Sequence, residues 1–261
     1  MQASCAFALL AYSAGMKRVL ILGATSAIAA EVAKVHAERG DALHLVGRNA
    51  AKLERAAAAC APTHVTTAVA DFADQGANFA VIERAIAALG SLDTVLVAHG
   101  DLGDERASQR SFEDAEMVLR VNFTSVVSLL IPLVNHMEAA GAGRLGVITS
   151  VAGDRGMPRN YTYGAAKGAL NVYLQGVRSR LVRARVSVTT LKVGTVDTPM
   201  RRDQAKHALV VKPRRVARDI VGAMDARAAE VYVPAVWRAI MRVVKSTPEP
   251  LFQRATFLLR K

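Results

Sequence analysis

The run from Lys17 to Leu22, KRVLIL, is apolar enough to be buried on both faces of a sheet. It leads into Gly23-Ala24-Thr25-Ser26-Ala27-Ile28-Ala29 and then into an alanine-rich helical stretch ending near Arg39. A strand, a glycine turn and a helix start together form a cradle for an anion, because free N–H groups and the helix dipole converge on one spot. Further strand-like runs follow at 42–46, 64–70, 92–98, 144–150, 185–192 and 230–233, with helical stretches between them. A chain of 261 residues suits one open α/β domain.

Composition removes several classes of function. The chain is 52% hydrophobic and 21% charged, which excludes a disordered chain and provides for a large core. Its net charge of +12 comes from basic residues scattered over helix faces. With no arginine-rich tract and no interleaved aromatics, this reads as a solvated surface and not as a nucleic-acid binder. Cys5 and Cys60 stand in no metal-ligand or CxxC spacing, so no metal site is expected and a reduced, cytoplasmic setting is the simplest view. Cys60 is expected to pack. No apolar run reaches the roughly 18 residues of a spanning helix. Residues 1–16 lack a basic n-region and read as an N-terminal arm, not a signal peptide; translation starting at Met16 is the other reading.

The residues suited to chemistry gather after the fifth strand. That strand ends at Ser150, where α/β sheets present their working side chains. Tyr163 and Lys167 follow in a helical stretch, four apart and so on one helical face. An ammonium near a phenol favours the phenolate, so the spacing predicts a lowered Tyr163 pKa and a phenol usable as acid or base. Tyr161, six residues before Lys167, falls on another face. At the end of the second strand an acidic residue would bind both ribose hydroxyls and select NAD(H). None is present; Arg48 instead offers a planar fork to a 2′-phosphate, which favours NADP(H).

Ser150, Tyr163 thirteen residues on and Lys167 four after that resemble the short-chain dehydrogenase/reductase family, and the order of the surrounding residues extends the likeness over 17–233. The resemblance implies a single Rossmann domain: a doubly wound, seven-stranded parallel sheet of order 3-2-1-4-5-6-7 with helices on both faces. Of the family's Gly-x-x-x-Gly-x-Gly only Gly23 is kept, with Ala27 and Ala29 replacing the later glycines; Thr25, Ser26 and Ile28 become the loop contacts. Asp71 and Phe72 match the adenine position, though Asp71 also reads as a cap for the helix that follows. Val97-Ala98-His99-Gly100 stands where the family has Asn-Asn-Ala-Gly; Gly100 keeps the close approach to the cofactor, and His99 reads as structural rather than as a base. The stretch 112–140 reads as one long helix with a kink at Pro132. Within it Asn122 matches the family residue that distorts the helix and relays protons through water to the lysine; a plain helix–sheet hydrogen bond is the other reading. Val196 and Thr198 match the turn over the nicotinamide, and residues 199–212 form the substrate lid.

The resemblance implies an NADP(H)-dependent oxidoreductase that reduces a carbonyl to an alcohol, with Ser150, Tyr163, Lys167 and Asn122 catalytic and with a homodimer or homotetramer as the assembly. AHGDLGD (98–104), SVAGDRG (150–156) and PAVWRAIMRVV (234–244) are similar to family members that reduce a lipid-linked ketopentose, which adds a keto-sugar or lipid-linked substrate. Arg155 is then either a contact for substrate phosphate or a partner of Asp154. Residues 234–261 form a basic amphipathic extension that suits either the inner face of a membrane or a partner subunit. A non-catalytic cofactor-bound scaffold and a peripheral membrane protein remain the alternatives.

Overall fold

The computed structural model describes residues 15–199 and 209–258, with the backbone alone for 256–258. The N-terminal arm up to residue 14 and most of the expected lid, 200–208, lie outside the described residues.

Seven strands form one parallel sheet: β1 (Arg18–Leu22), β2 (Ala42–Gly47), β3 (Val65–Val69), β4 (Thr94–Val97), β5 (Gly143–Ser150), β6 (Val186–Val193) and β7 (Glu230–Val233). Their order is β3-β2-β1-β4-β5-β6-β7, as the resemblance implied. Alternation along each strand divides the core in two. On β1, Leu20 and Leu22 face a cluster with Val95, Val97, Leu145 and Val147. Val19 and Ile21 face the opposite cluster with Leu43, Leu45, Leu96 and Leu191. The first cluster is closed by α3 (Asn78–Leu89), α5 (Ser125–Ala140) and α6 (Tyr161–Leu181), the second by α1 (Ala27–Ala37), α2 (Ala50–Ala58) and α7 (Pro213–Asp225). Each fully buried aliphatic side chain contributes about 1.5–3 kcal/mol, so β1, with Val19, Leu20, Ile21 and Leu22 wholly buried, anchors both layers. Cys60, just past α2, is buried in the second cluster.

The long helix expected over 112–140 is interrupted. α4 (Phe112–Leu119) passes into a π turn, Arg120–Thr124, before α5 begins, and Pro132 lies inside α5. The segment Phe112–Ala140 is long and apolar enough to cross a membrane by length and composition, more than the reading of the sequence allowed. Here it is a core helix: Val126, Leu129, Leu130, Leu133 and Met137 are packed against the sheet.

Past β7 the chain forms α8 (Val236–Ser246) and α9 (Glu249–Leu258). Arg155 fastens them to the loop after β5. Its Nη1 donates to the Val244 and Thr247 carbonyls at 2.5 and 2.6 Å, its Nη2 meets Glu249 at 2.7 Å, and its guanidinium lies 3.9 Å from the centre of the Phe252 ring. Asp154 also turns inward, accepting from Lys192 and from the Tyr232 hydroxyl, each at 2.6 Å. Both sequence readings of Arg155 are corrected: it neither pairs with Asp154 nor faces the cleft. Trp237 packs against Gly194, where a Cβ would overlap the indole.

Replacing Arg155 with alanine leaves two carbonyls and a carboxylate without their cation. The expected loss is roughly 2–3 kcal/mol of unfolding free energy. Hydrogen exchange should speed up in 236–258 first, while β1 and β4 amides stay protected; uniform acceleration through the sheet would remove the clasp role.

Candidate functional site

Parallel pairing brings the C-terminal ends of all the strands to one edge, and the strand order reverses between β1 and β4, where a crevice opens. A cleft of about 600 Å3 runs along that edge. At one end it is lined by Gly23, Thr25, Ser26, Ile28, Arg48, Asp71 and Phe72; at the other by Gly100, Ser150, Tyr163, Lys167, Val196 and Thr198. Every residue expected to be catalytic or to hold the cofactor therefore lines this cleft except Asn122, which lies directly behind it.

The cradle end follows from local rules. Gly23 turns the chain at φ +85°, and the Ser26 hydroxyl caps α1 by accepting from Ala29 N at 3.1 Å. Ala27 and Ala29 occupy glycine positions of the motif without positive φ, so their methyl groups bring no backbone strain. Arg48 is exposed and makes no ion pair or side-chain hydrogen bond among the described residues. Asp71 does not cap α3, which starts at Asn78; its carboxylate accepts from Ala73 N at 3.1 Å and closes a local turn.

His99 also lines the cleft, tilted on Phe72 with ring centroids 4.7 Å apart. The Ser125 hydroxyl donates to the Val121 carbonyl, so His99 Nε2 donates to Ser125 Oγ at 2.8 Å. Burial, then the charges of Lys167 and Arg48, pushes its pKa down to about 3. A neutral imidazole in this position is no general base near neutrality. Its Nδ1 is buried without a partner.

The other end depends on close backbone contact. At Gly153 a side chain would collide with the Lys167 carbonyl carbon and with Gly168 N, so the loop after Ser150 lies directly on α6. Gly100 is pressed between Asn122 Oδ1 and Lys167 Nζ. Asn122 is fully buried in the π turn: Oδ1 accepts from Asp101 N at 3.1 Å, while Nδ2 donates to the Asp101 and Val118 carbonyls at 2.6 and 2.9 Å. The distortion expected at Asn122 is present, and its amide braces the loop after β4.

Lys167 is buried, its Nζ 5.6 Å from the Tyr163 ring centre, and burial lowers its pKa to about 8. Tyr163 departs from the sequence expectation. Withdrawal from water raises its pKa to about 12; the hydrogen bond with Ser150 works against this, and the Asp101 charge adds to it. Desolvation of the phenolate outweighs its cationic neighbour, so Tyr163 stays a protonated phenol.

The cleft also includes residues that the motifs did not single out. Lys52, in the first turn of α2, lies four residues beyond Arg48, a second basic residue close enough in sequence to have been marked with it. Asn160, three residues before Tyr163, brings a buried Oδ1 with no partner. Leu102 and Glu105 come from a loop without a spacing signal.

A short chain dehydrogenase family model matches residues 17–209. An uncharacterized oxidoreductase of Streptomyces coelicolor is 32% identical over 242 residues, 91% of this chain and 95% of the relative. An uncharacterized oxidoreductase of Mycobacterium tuberculosis is 30% identical over 243 residues, 92% and 97% of the two chains. Among solved structures, levodione reductase superposes with a TM-score of 0.78 at 21% identity, covering 85% of this chain and 98% of that one. An actinorhodin polyketide ketoreductase variant with NADPH gives 0.75 at 20% identity, covering 84% and 95%. Those two likenesses speak for the fold, and the family match and the curated relatives speak for the lineage: this chain belongs to the short-chain dehydrogenase family of oxidoreductases.

Proposed function

We propose that this protein is an NADP(H)-dependent reductase that converts a ketone to an alcohol at Ser150, Tyr163 and Lys167. The observation that carries the reading is the single cleft joining an anion cradle with an unpaired Arg48 to a protonated phenol beside a buried ammonium. The cradle fits a dinucleotide: the start of α1 offers N–H groups to a pyrophosphate, and Arg48 offers its fork to a 2′-phosphate. When bound, the nicotinamide supplies the hydride.

The chain's own groups do the rest. Ser150 and Tyr163 hydrogen-bond the substrate oxygen, and the Tyr163 hydroxyl donates the proton. A raised pKa suits this direction, since the donor stays protonated through neutral pH. Lys167 is placed to hold ribose hydroxyls, Val196 and Thr198 to hold a carboxamide, and Gly100 admits the cofactor closely. Asn122, through water and Lys167, restores the proton.

For substrate we favour a keto-sugar, including a lipid-linked one, with the protein in the cytoplasm and its α8 face toward the membrane. The exposed Val236 and Val243 of α8, with Leu251 of α9, support that orientation. Exposed Phe112, Met117, Ile131, Val172 and Val182 on or beside α4, α5 and α6 support a homodimer or homotetramer built on these helices. A panel of carbonyl compounds, with keto-sugars bearing or lacking a lipid phosphate, scored by NADPH consumption, tests the substrate class.

Tyr163→Phe should lower carbonyl reduction by about 10²–10⁴-fold while NADPH affinity stays within roughly threefold; unchanged turnover would remove Tyr163 from the reaction. Arg48→Ala should weaken NADPH about 10–100-fold and leave NADH nearly unchanged, the magnitude of a charge-assisted contact; equal losses would refute the 2′-phosphate contact. Lys167 is charged below about pH 8 and neutral above it. The kcat/KM for NADPH should therefore fall as pH rises through about 8, and Lys167→Arg should abolish that alkaline limb.

A further inference from the structure

A second cavity, of about 440 Å3, lies between β7 and α8, apart from the residues of the cofactor cleft. Tyr232, Arg238, Arg242, Lys245 and Ser246 line it. Arg238, Arg242 and Lys245 recur at intervals of four and three, on one face of α8. The nearby acids are engaged elsewhere. Asp154 and Glu230 hold Lys192 at 2.6 and 3.0 Å, and Glu249 holds Arg155. The Tyr232 hydroxyl donates its hydrogen bond to Asp154. Among the described residues the three cationic heads that face this cavity have no ion pair and no side-chain hydrogen bond, although like charges on one helical face repel. Such a cluster is completed by an anion able to bridge several donors at once.

We propose that this cavity binds a phosphate group, with Arg238, Arg242 and Lys245 as its donors. Two guanidinium forks and an ammonium match a phosphate better than a carboxylate, because three or more oxygens can be engaged at once. The ligand is the phosphate of a lipid headgroup or a free phosphate. Val236 and Val243, seven residues apart on α8, expose apolar surface on another face of the same helix. The inference deepens the membrane-side reading above by naming the groups that meet the headgroup, and it does not depend on the reductase chemistry.

Trp237 is the only tryptophan of the chain and precedes Arg238, so its emission reports on this site. The full-length protein is titrated with inorganic phosphate, followed by Trp237 fluorescence. In parallel it is sedimented with vesicles of phosphatidylcholine alone or mixed with phosphatidylglycerol. The same is done for Arg238→Ala/Arg242→Ala/Lys245→Ala and for a charge-matched control, Arg55→Ala/Arg84→Ala/Arg183→Ala, whose residues are exposed on other elements. Circular dichroism and NADPH affinity establish that each variant is folded.

The expected result is binding by the wild type and the control, and a roughly hundredfold loss in the α8 variant, as about 1 kcal/mol per basic residue implies. Loss confined to the phosphatidylglycerol vesicles identifies a lipid headgroup as the source; loss confined to the inorganic phosphate titration identifies free phosphate. No binding by the wild type, or equal losses in both triple variants, overturns the site. Vesicle binding that the α8 variant retains, together with an unchanged phosphate titration, also overturns the site, yet leaves the membrane-side reading standing.

Discussion

An ammonium withdrawn from water without a carboxylate beside it is the constraint on which the site depends. Lys167 is 2% exposed, and among the described residues its Nζ makes no ion pair or hydrogen bond. Desolvation of an isolated charge costs several kcal/mol, and the fall of the pKa to about 8 expresses that strain. The surrounding fold sustains it through rigid contacts: Gly100 against the Nζ, the Gly153 loop on the α6 backbone, and core residues Ala166 and Leu170 on either side in sequence. A cation held in such a place favours any ligand that brings oxygens to it. The same desolvation raises the phenol beside it, so one physical cause keeps Tyr163 a donor and Lys167 close to its point of deprotonation near neutrality.

The parallel sheet turns this local arrangement into a site. Gly23, Arg48, Gly100, Ser150 and Thr198 come from well-separated parts of the chain, but each lies at or beyond the C-terminal end of a different strand. Shared strand direction alone brings them to one edge. The C-terminal helices then reinforce that edge from outside: Trp237 backs Gly194, whose other side lines the cleft, and Arg155 ties the loop after Ser150 to α8 and α9.

Much of this was legible in the residues because it follows from period and spacing. KRVLIL announces a strand buried on both faces, and four-residue spacing puts Tyr163 and Lys167 on one face of α6. What was not legible depends on where side chains end up once the chain is folded. Spacing brings a lysine toward a tyrosine but does not state how much water both lose, and the direction of the Tyr163 shift turned on that loss. Arg155 follows Ser150 closely and was read either toward substrate or as a partner of Asp154; a short helical turn at Val151–Gly153 swings Asp154 to Lys192 and Arg155 to the C-terminal helices. The break at Arg120–Thr124 was marked by the resemblance at Asn122 alone and not by the residue pattern, because a π turn interrupts no apolar pattern and needs no proline or glycine.

That π turn makes two jobs of the helix separable. It accommodates one residue more than a continuous α-helical course requires, so the flanking helices α4 and α5 keep the phase that buries their apolar faces. Loss of a single residue from Arg120–Thr124 would let the strand-facing side of α5 keep its seat, while the Asn122 amide would no longer reach Asp101. Descendants of this gene could thus shed the bracing of the β4 loop by one codon deletion without unpacking the core.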